Sequence, residues 1–199
     1  MEMEENVNMD FWFEFGSTYS YPAAMRIENA AHSGGVIVRW RPFLLGPIFK
    51  AQGWNDSPFN IYPVKGTYMW RDLERICAAQ KLALARPSRF PRNGILAARV
   101  VARFEGEPWI PAFVRGIYEA NFAKDREISE PAVVGSVLDA VGQPASLVDA
   151  ASSEEAKAKL RANTEEAIRL GIFGAPSFVA GGELFWGNDR LESALAWKQ

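Results

Sequence analysis

The chain has 199 residues, 22 of them basic and 24 acidic, giving a formal net charge of −2; 48% is hydrophobic and 13% aromatic. A chain of this size and balance fits one domain, or one domain carrying an insertion, and has no basic stripe to neutralise a run of phosphates, so nucleic acid is not an expected partner. One cysteine, Cys77, and one histidine, His32, exclude an internal disulfide framework and leave few ways to ligate zinc.

The start, Met1 to Asn8, is acidic and lacks a basic region followed by an apolar stretch. No run of about 18 apolar residues occurs, so a cytoplasmic protein with no membrane partner is expected. Val7, Met9, Phe11 and Phe13 alternate with Asn8, Asp10 and Trp12, the period of a strand. After Gly16-Ser17-Thr18, the residues Tyr21, Ala24, Met25, Ile27 and Ala31 recur at helical spacing from Tyr19 to about His32. Pro22 falls in the first turn, where its missing N–H is not needed. Ser33-Gly34-Gly35 stops that helix and leaves His32 as a surface residue complementing its dipole. Val36, Val38 and Trp40 then alternate with Ile37, Arg39 and Arg41. Strand, helix and strand predict a βαβ unit with parallel strands.

From Pro42 to Gly66 the sequence reads as a loop long enough to cover something or carry function. Helices are predicted at Tyr68 to about Leu84, Gly94 to Phe104, Pro108 to Phe122 and Pro131 to Val141. In the third, Ile110, Phe113, Val114 and Ile117 share one face; the fourth has Ser129 as its N-cap. Ser152 with Glu155 makes a capping box for a long helix with Ala156, Leu160, Ala167 and Leu170 inward, ending near Gly171. Ser177–Ala180 and Glu183–Trp186 are short strands joined by Gly181-Gly182, a hairpin signature. Asn188 caps a last helix containing Leu191, Leu195 and Trp197. Two halves of one α/β sheet thus flank an all-helical block.

Residue by residue, plain structural readings are available. Ser17 can be an N-cap, Pro176 a bend before a strand, Asn188-Asp189 a cap and first-turn acid, and Lys65 a solvated loop cation. Cys77, beside Leu73 and Ile76, reads as a buried structural thiol, and Asp72, Glu74 and Arg75 as a solvated face. Trp54, Phe59, Tyr62, Tyr68 and Trp70 are either scattered core or a surface for a flat aromatic substrate.

The element order nevertheless resembles the thioredoxin fold with a DsbA-type helical insertion. Four motifs, in order along nearly the whole chain, resemble those of the 2-hydroxychromene-2-carboxylate isomerases and the related kappa-class glutathione transferases. They are the Ser-x-Tyr-Ser turn at Ser17; Asn55 with Lys65-Gly66-Thr67-Tyr68; Phe173-Gly174-Ala175-Pro176; and Phe185-Trp186-Gly187-Asn188-Asp189-Arg190-Leu191. Thr18 stands where that family usually has proline, and Gly16 replaces a bulkier residue. The resemblance implies a thioredoxin-like domain from residues 1–66 and 160–199 and a helical insertion at 67–159. It also implies glutathione as cofactor, a small aromatic substrate, a homodimer, a role in aromatic compound catabolism and no metal. Ser17 would stabilise a bound thiolate at a helix start. Ala175, before a cis-Pro176, would pair its backbone with the cysteinyl part. Lys65 and Asn55 would hold the glycyl end, and Asn188 and Asp189 the γ-glutamyl end. The implied activity is a glutathione-dependent isomerase of an aromatic 2-oxo acid. A kappa-like transferase, or a non-enzymatic glutathione- or peptide-binding protein, would use the same features. A dithiol oxidoreductase is disfavoured, since Ser17 and Ser20 cannot form the exchanging disulfide.

Overall fold

Strand β1 (Val7–Phe13) carries bulky apolar side chains on both faces because it is covered on both. The computed structural model describes residues 7–197; the acidic segment before Val7, part of the expected leaderless start, and the last two residues lie outside the described residues. β1 pairs in parallel with β2 (Val36–Pro42) and antiparallel with β3 (Ser177–Ala180), which pairs antiparallel with β4 (Glu183–Trp186). The four strands run in the order β2-β1-β3-β4, with α1 (Ser20–Ser33) connecting β1 to β2.

One face of β1 belongs to the main core. Phe11 lies opposite Trp40 of β2 and Phe178 of β3, and its ring centroid is 5.1 Å from Trp40, 5.3 Å from Phe13 and 5.5 Å from Phe178. The other face buries Trp12 against Phe43, Ile48, Ala167 and Ile172, with the Arg41 guanidinium 5.0 Å over the indole. Each buried aromatic is worth roughly 1.5 to 3 kcal/mol in transfer free energy, with each ring pair adding about 0.5 to 1.5.

Between the halves of the sheet the chain is helical: α2 (Leu45–Ala51), α3 (Pro58–Ile61), α4 (Pro63–Gln80), α5 (Ile95–Arg103), α6 (Ile110–Phe122), α7 (Pro131–Ala140), a 3-10 helix (Ala145–Ser152) and α8 (Glu154–Arg169). The hairpin β3–β4 leads through a 3-10 turn (Asn188–Arg190) to α9 (Leu191–Ala196). The predicted inward face of α6 is buried as expected, and so are Ala156, Leu160 and Ala167 on α8. The βαβ unit and the ββα unit thus build one mixed four-stranded sheet with the helical block between them, as the resemblance implies.

Several expectations need correction. The stretch 42–66 is not a loop: α2 and α3 lie within it and α4 starts at Pro63. Of its prolines, read as punctuation, Pro42 ends β2, and Pro47, Pro58 and Pro63 occupy first turns, where a missing N–H costs nothing. α4 stops at Gln80, short of Leu84, because Lys81 takes a left-handed conformation with φ +56°. Ser129 is not the cap of α7; its hydroxyl donates to Glu127. The cap of α8 is Ser153, whose Oγ accepts the Ala156 N–H at 3.2 Å, since Ser152 belongs to the preceding 3-10 helix. Leu170 and Trp197 lie beyond their helices and are exposed. Apart from these corrections, the implied domain boundaries, 66/67 and 159/160, lie at positions within α4 and α8.

Replacing Phe11 by alanine leaves a cavity where three strands meet. Phe11→Ala should lower stability by about 3 to 5 kcal/mol, read as a shifted urea midpoint with an unchanged slope.

Candidate functional site

Beyond Phe13 the chain turns through Glu14, Phe15 and Gly16, closed by the Ser17 N–H donating to the Glu14 carbonyl at 3.0 Å. Helix α6 fixes this turn from below: the Tyr118 hydroxyl donates to the Glu14 carbonyl at 2.9 Å and the Asn121 amide to the Phe15 carbonyl at 3.0 Å. Thr18 is buried and its hydroxyl donates to the Met69 sulfur of α4. The residue that departs from the expected proline therefore anchors the turn to its neighbour. Helix α1 begins only at Ser20, after Tyr19. Ser17 is thus not an N-cap, and its hydroxyl donates instead to the Ala175 carbonyl at 2.9 Å.

The Ala175-Pro176 bond is cis. Pro176 is buried, its carbonyl accepts the Gly187 N–H at 2.9 Å, and it does not line the cavity that Gly174 and Ala175 face. Among the described residues no hydrogen bond engages the Ala175 N–H.

A cavity of about 1520 Å³ lies between this turn and the α2–α3 segment. Ser17, Asn55, Lys65, Ala175, Asn188 and Asp189 all line it. Of the aromatics expected around it, Trp54 and Phe59 contribute; Tyr62 and Tyr68 are exposed elsewhere, and Trp70 is buried against Phe90. Phe49 and Phe90 also line it. At its rim Phe173 and Trp186 pair with centroids 4.8 Å apart, Trp186 remaining 53% exposed.

Lys65 lies in the first turn of α4, not in a loop, with its ammonium 5.3 Å from the Tyr62 ring centre. Its position depends on Gly66: a Cβ there would sit 2.2 Å from the Phe59 carbonyl oxygen, so only glycine lets α3 and α4 meet this closely. Asp189 is exposed and pairs with Arg190 at 3.2 Å. Asn188 is buried and caps no helix with its side chain; its Oδ1 accepts from Arg26 Nε of α1 at 3.2 Å.

Among the polar groups of the wall that the sequence reading did not place there are Tyr19, Asp72, Lys50 and Glu14. Tyr19 donates to Asp72 at 3.0 Å, which places Asp72 in the cavity wall and not on a solvated face. Burial, then this bond to a carboxylate, pushes the Tyr19 phenol above its ordinary range. The Glu14 Oε2 accepts the Gly16 N–H at 3.0 Å, and among the described residues no cation pairs with this carboxylate. Burial pushes the Glu14 carboxyl up to about 7, against the lowering effect of the Gly16 N–H. A Cβ at Gly16 would come within 3.0 Å of that carboxylate and of the Arg92 carbonyl, which explains the missing side chain. The sequence held one signal for Glu14, an acid directly after an apolar strand and two residues before a glycine. Cys77 is buried as expected, and burial pushes its thiol up to about 11.

Residues 8–196 match the family model described as a DSBA-like thioredoxin domain. The 2-hydroxychromene-2-carboxylate isomerase of Sphingobium xenophagum is 30% identical over 186 residues, covering 92% of this chain and 94% of its own. The glutathione S-transferase kappa 1 of Caenorhabditis elegans is 25% identical, covering 92% of this chain and 87% of its own. A solved 2-hydroxychromene-2-carboxylate isomerase structure superposes with a TM-score of 0.83 at 26% identity, over 93% of this chain and 91% of that one. The chain belongs to the DSBA-like thioredoxin domain family and, within it, to the 2-hydroxychromene-2-carboxylate isomerase family related to the kappa-class glutathione transferases.

The raised Glu14 value fixes the sign of one pH effect. The folded state holds this proton up to about 7, whereas the unfolded chain releases it near 4.5. The contribution to stability is therefore complete below the lower value and is lost as pH rises through the upper one. Glu14→Gln should remove this fall, so that its melting temperature relative to the parent rises between those two pH values.

Proposed function

We propose that this chain is a glutathione-dependent isomerase of an aromatic 2-oxo acid of the 2-hydroxychromene-2-carboxylate class, acting in aromatic compound catabolism as a cytoplasmic homodimer. The observation that carries this reading is the hydroxyl of Ser17, rather than a thiol, set 2.9 Å from the Ala175 carbonyl on the wall of an aromatic cavity. Relatives bearing the isomerase name at 30% identity support the reaction, and the kappa-class relatives, named for glutathione, support the cofactor.

The residues present fit a tripeptide thiol. The unengaged Ala175 N–H beside its carbonyl offers an extended peptide the backbone pairing of an added strand. Lys65 provides a charge for a carboxylate and Asp189 one for an ammonium group, and Asn55 and Asn188 line the same cavity. Pro176, buried behind Ala175, holds that backbone in place.

Bound glutathione would supply a thiolate that adds reversibly to a conjugated carbon and leaves again, so that a double bond can rotate in between. The Ser17 hydroxyl is small and its rotor free, so it can turn from the Ala175 carbonyl toward a sulfur anion. A charge-assisted hydrogen bond of that kind is worth about 1.5 to 3 kcal/mol. The aromatic walls exclude water and hold a flat substrate in one approach geometry. Lys50 and Arg190 offer charge to its carboxylate. A kappa-like transferase would use the same thiolate site, and the kappa-class relatives keep that second reading open to test.

Incubation with 2-hydroxychromene-2-carboxylate and substoichiometric glutathione should convert many equivalents of chromene per glutathione, quantified by mass spectrometry. Stoichiometric loss of glutathione to a thioether with halogenated nitroaromatics, and no chromene turnover, would favour the transferase. Ser17→Ala should lower kcat roughly 10- to 150-fold while weakening glutathione binding much less. Cys77→Ala should leave turnover intact.

A further inference from the structure

We propose that Glu14 is a catalytic residue of this cavity, the proton carrier that opens the cyclic hemiketal of a 2-hydroxychromene-2-carboxylate; this deepens, and rests on, the isomerase reading. In the cyclic form the phenolic oxygen is bonded to C2, which also carries a hydroxyl and the carboxylate. No side-chain double bond can rotate while that ring is closed. Opening it requires one proton to leave the C2 hydroxyl and one to reach the ring oxygen. Glu14 takes the first; the C2–O ring bond breaks, its electron pair goes to the phenolic oxygen, and C2 becomes a carbonyl. Glu14 then returns the proton to the phenolic oxygen. Atoms and charge balance, and no oxidant or reductant is consumed.

Geometry supports this assignment. Glu14 and Ser17 are the two ends of one hydrogen-bonded turn and both line the cavity. The carboxylate is steadied through Oε2 by the Gly16 N–H, which leaves its other oxygen without a partner among the described residues. The absence of a side chain at residue 16 gives that carboxylate its room. The titratable and charged groups around it are committed elsewhere. Tyr118 of α6 donates to the Glu14 main-chain carbonyl, and Arg92, ahead of α5, turns its guanidinium to Ser88, Asn121 and Asp125. Lys50, Lys65 and Arg190 line the same cavity and none pairs with Glu14. A carboxyl poised near 7 can both accept and donate at neutral pH.

The test compares two substrates that differ only in the step assigned to Glu14. One is 2-hydroxychromene-2-carboxylate; the other is an open-chain cis-benzylidene 2-oxo acid lacking the ortho hydroxyl, which has no ring to open. Glu14→Gln keeps an acceptor for the Gly16 N–H but carries no transferable proton. It should lower the ratio of chromene to open-chain kcat about 100-fold. In the unmutated protein the chromene profile should show a limb near 7 that the open-chain profile lacks; this measurement stands even if the variant does not fold. Without glutathione, the Glu14 carboxyl carbon, followed by nuclear magnetic resonance, should titrate in the same range. An unchanged ratio with both substrates turned over, identical pH profiles, or titration at the ordinary carboxylate value would each overturn the role of Glu14 and leave the isomerase reading standing. Turnover of neither substrate by the unmutated protein would overturn the isomerase reading and this proposal together.

Discussion

β1 is hydrogen-bonded along both edges, to β2 on one side and β3 on the other. It is therefore the one strand that holds together segments far apart in sequence, and it must be apolar on both faces. Because Phe11 packs against Trp40 and Phe178 at once, the start of the chain and its last quarter are brought into one register. That register decides the site. The turn leaving β1 ends at Ser17 and the turn entering β3 holds Ala175, so pairing the two strands sets a hydroxyl against a carbonyl 158 residues away in sequence. The aromatic contacts of the core and the polar contact of the cavity are thus one constraint seen at two points along the strand.

The same turn gathers buried polar groups that would be costly without partners. Tyr118 and Asn121 satisfy the Glu14 and Phe15 carbonyls, and Thr18 donates to Met69, so the helical block supplies what the sheet cannot. The Ala175 N–H and one carboxylate oxygen of Glu14 have no partner among the described residues. Both border the cavity, which is where unmet hydrogen-bonding capacity becomes useful to a ligand.

Much of the fold was legible. β1, β2 and the β3–β4 hairpin show a period of two bounded by glycine, and the inward face of α6 shows a period near 3.6. The short helices α2 and α3 were hidden because Pro47, Pro58 and Pro63 carry the same letters in a first turn as in a loop. Ser17 and the residues lining the cavity with it were legible only as motifs in order. No local signal could show that the Asn188 amide is engaged by Arg26, since that partner lies 162 residues away. Nor could it show that Glu14 folds back beneath its own turn, which depends on the space left at Gly16. Periodicity reports what a residue packs against along its own element; it is silent on contacts made where two elements end.

The two walls of the cavity differ in how they are secured. The wall with Glu14, Ser17 and Ala175 is an extension of the sheet, tied to the core of the protein by β1 and β3. The facing wall consists of α2, whose one buried residue is Ile48, and α3, which buries none. Local opening free energies follow buried apolar contact, so thermal breathing falls on the second wall while the first keeps its geometry. Aperture and reactivity are in this way set by separate parts of the chain: substitutions in α2 and α3 can change what enters without disturbing where the hydroxyl and the carboxylate stand.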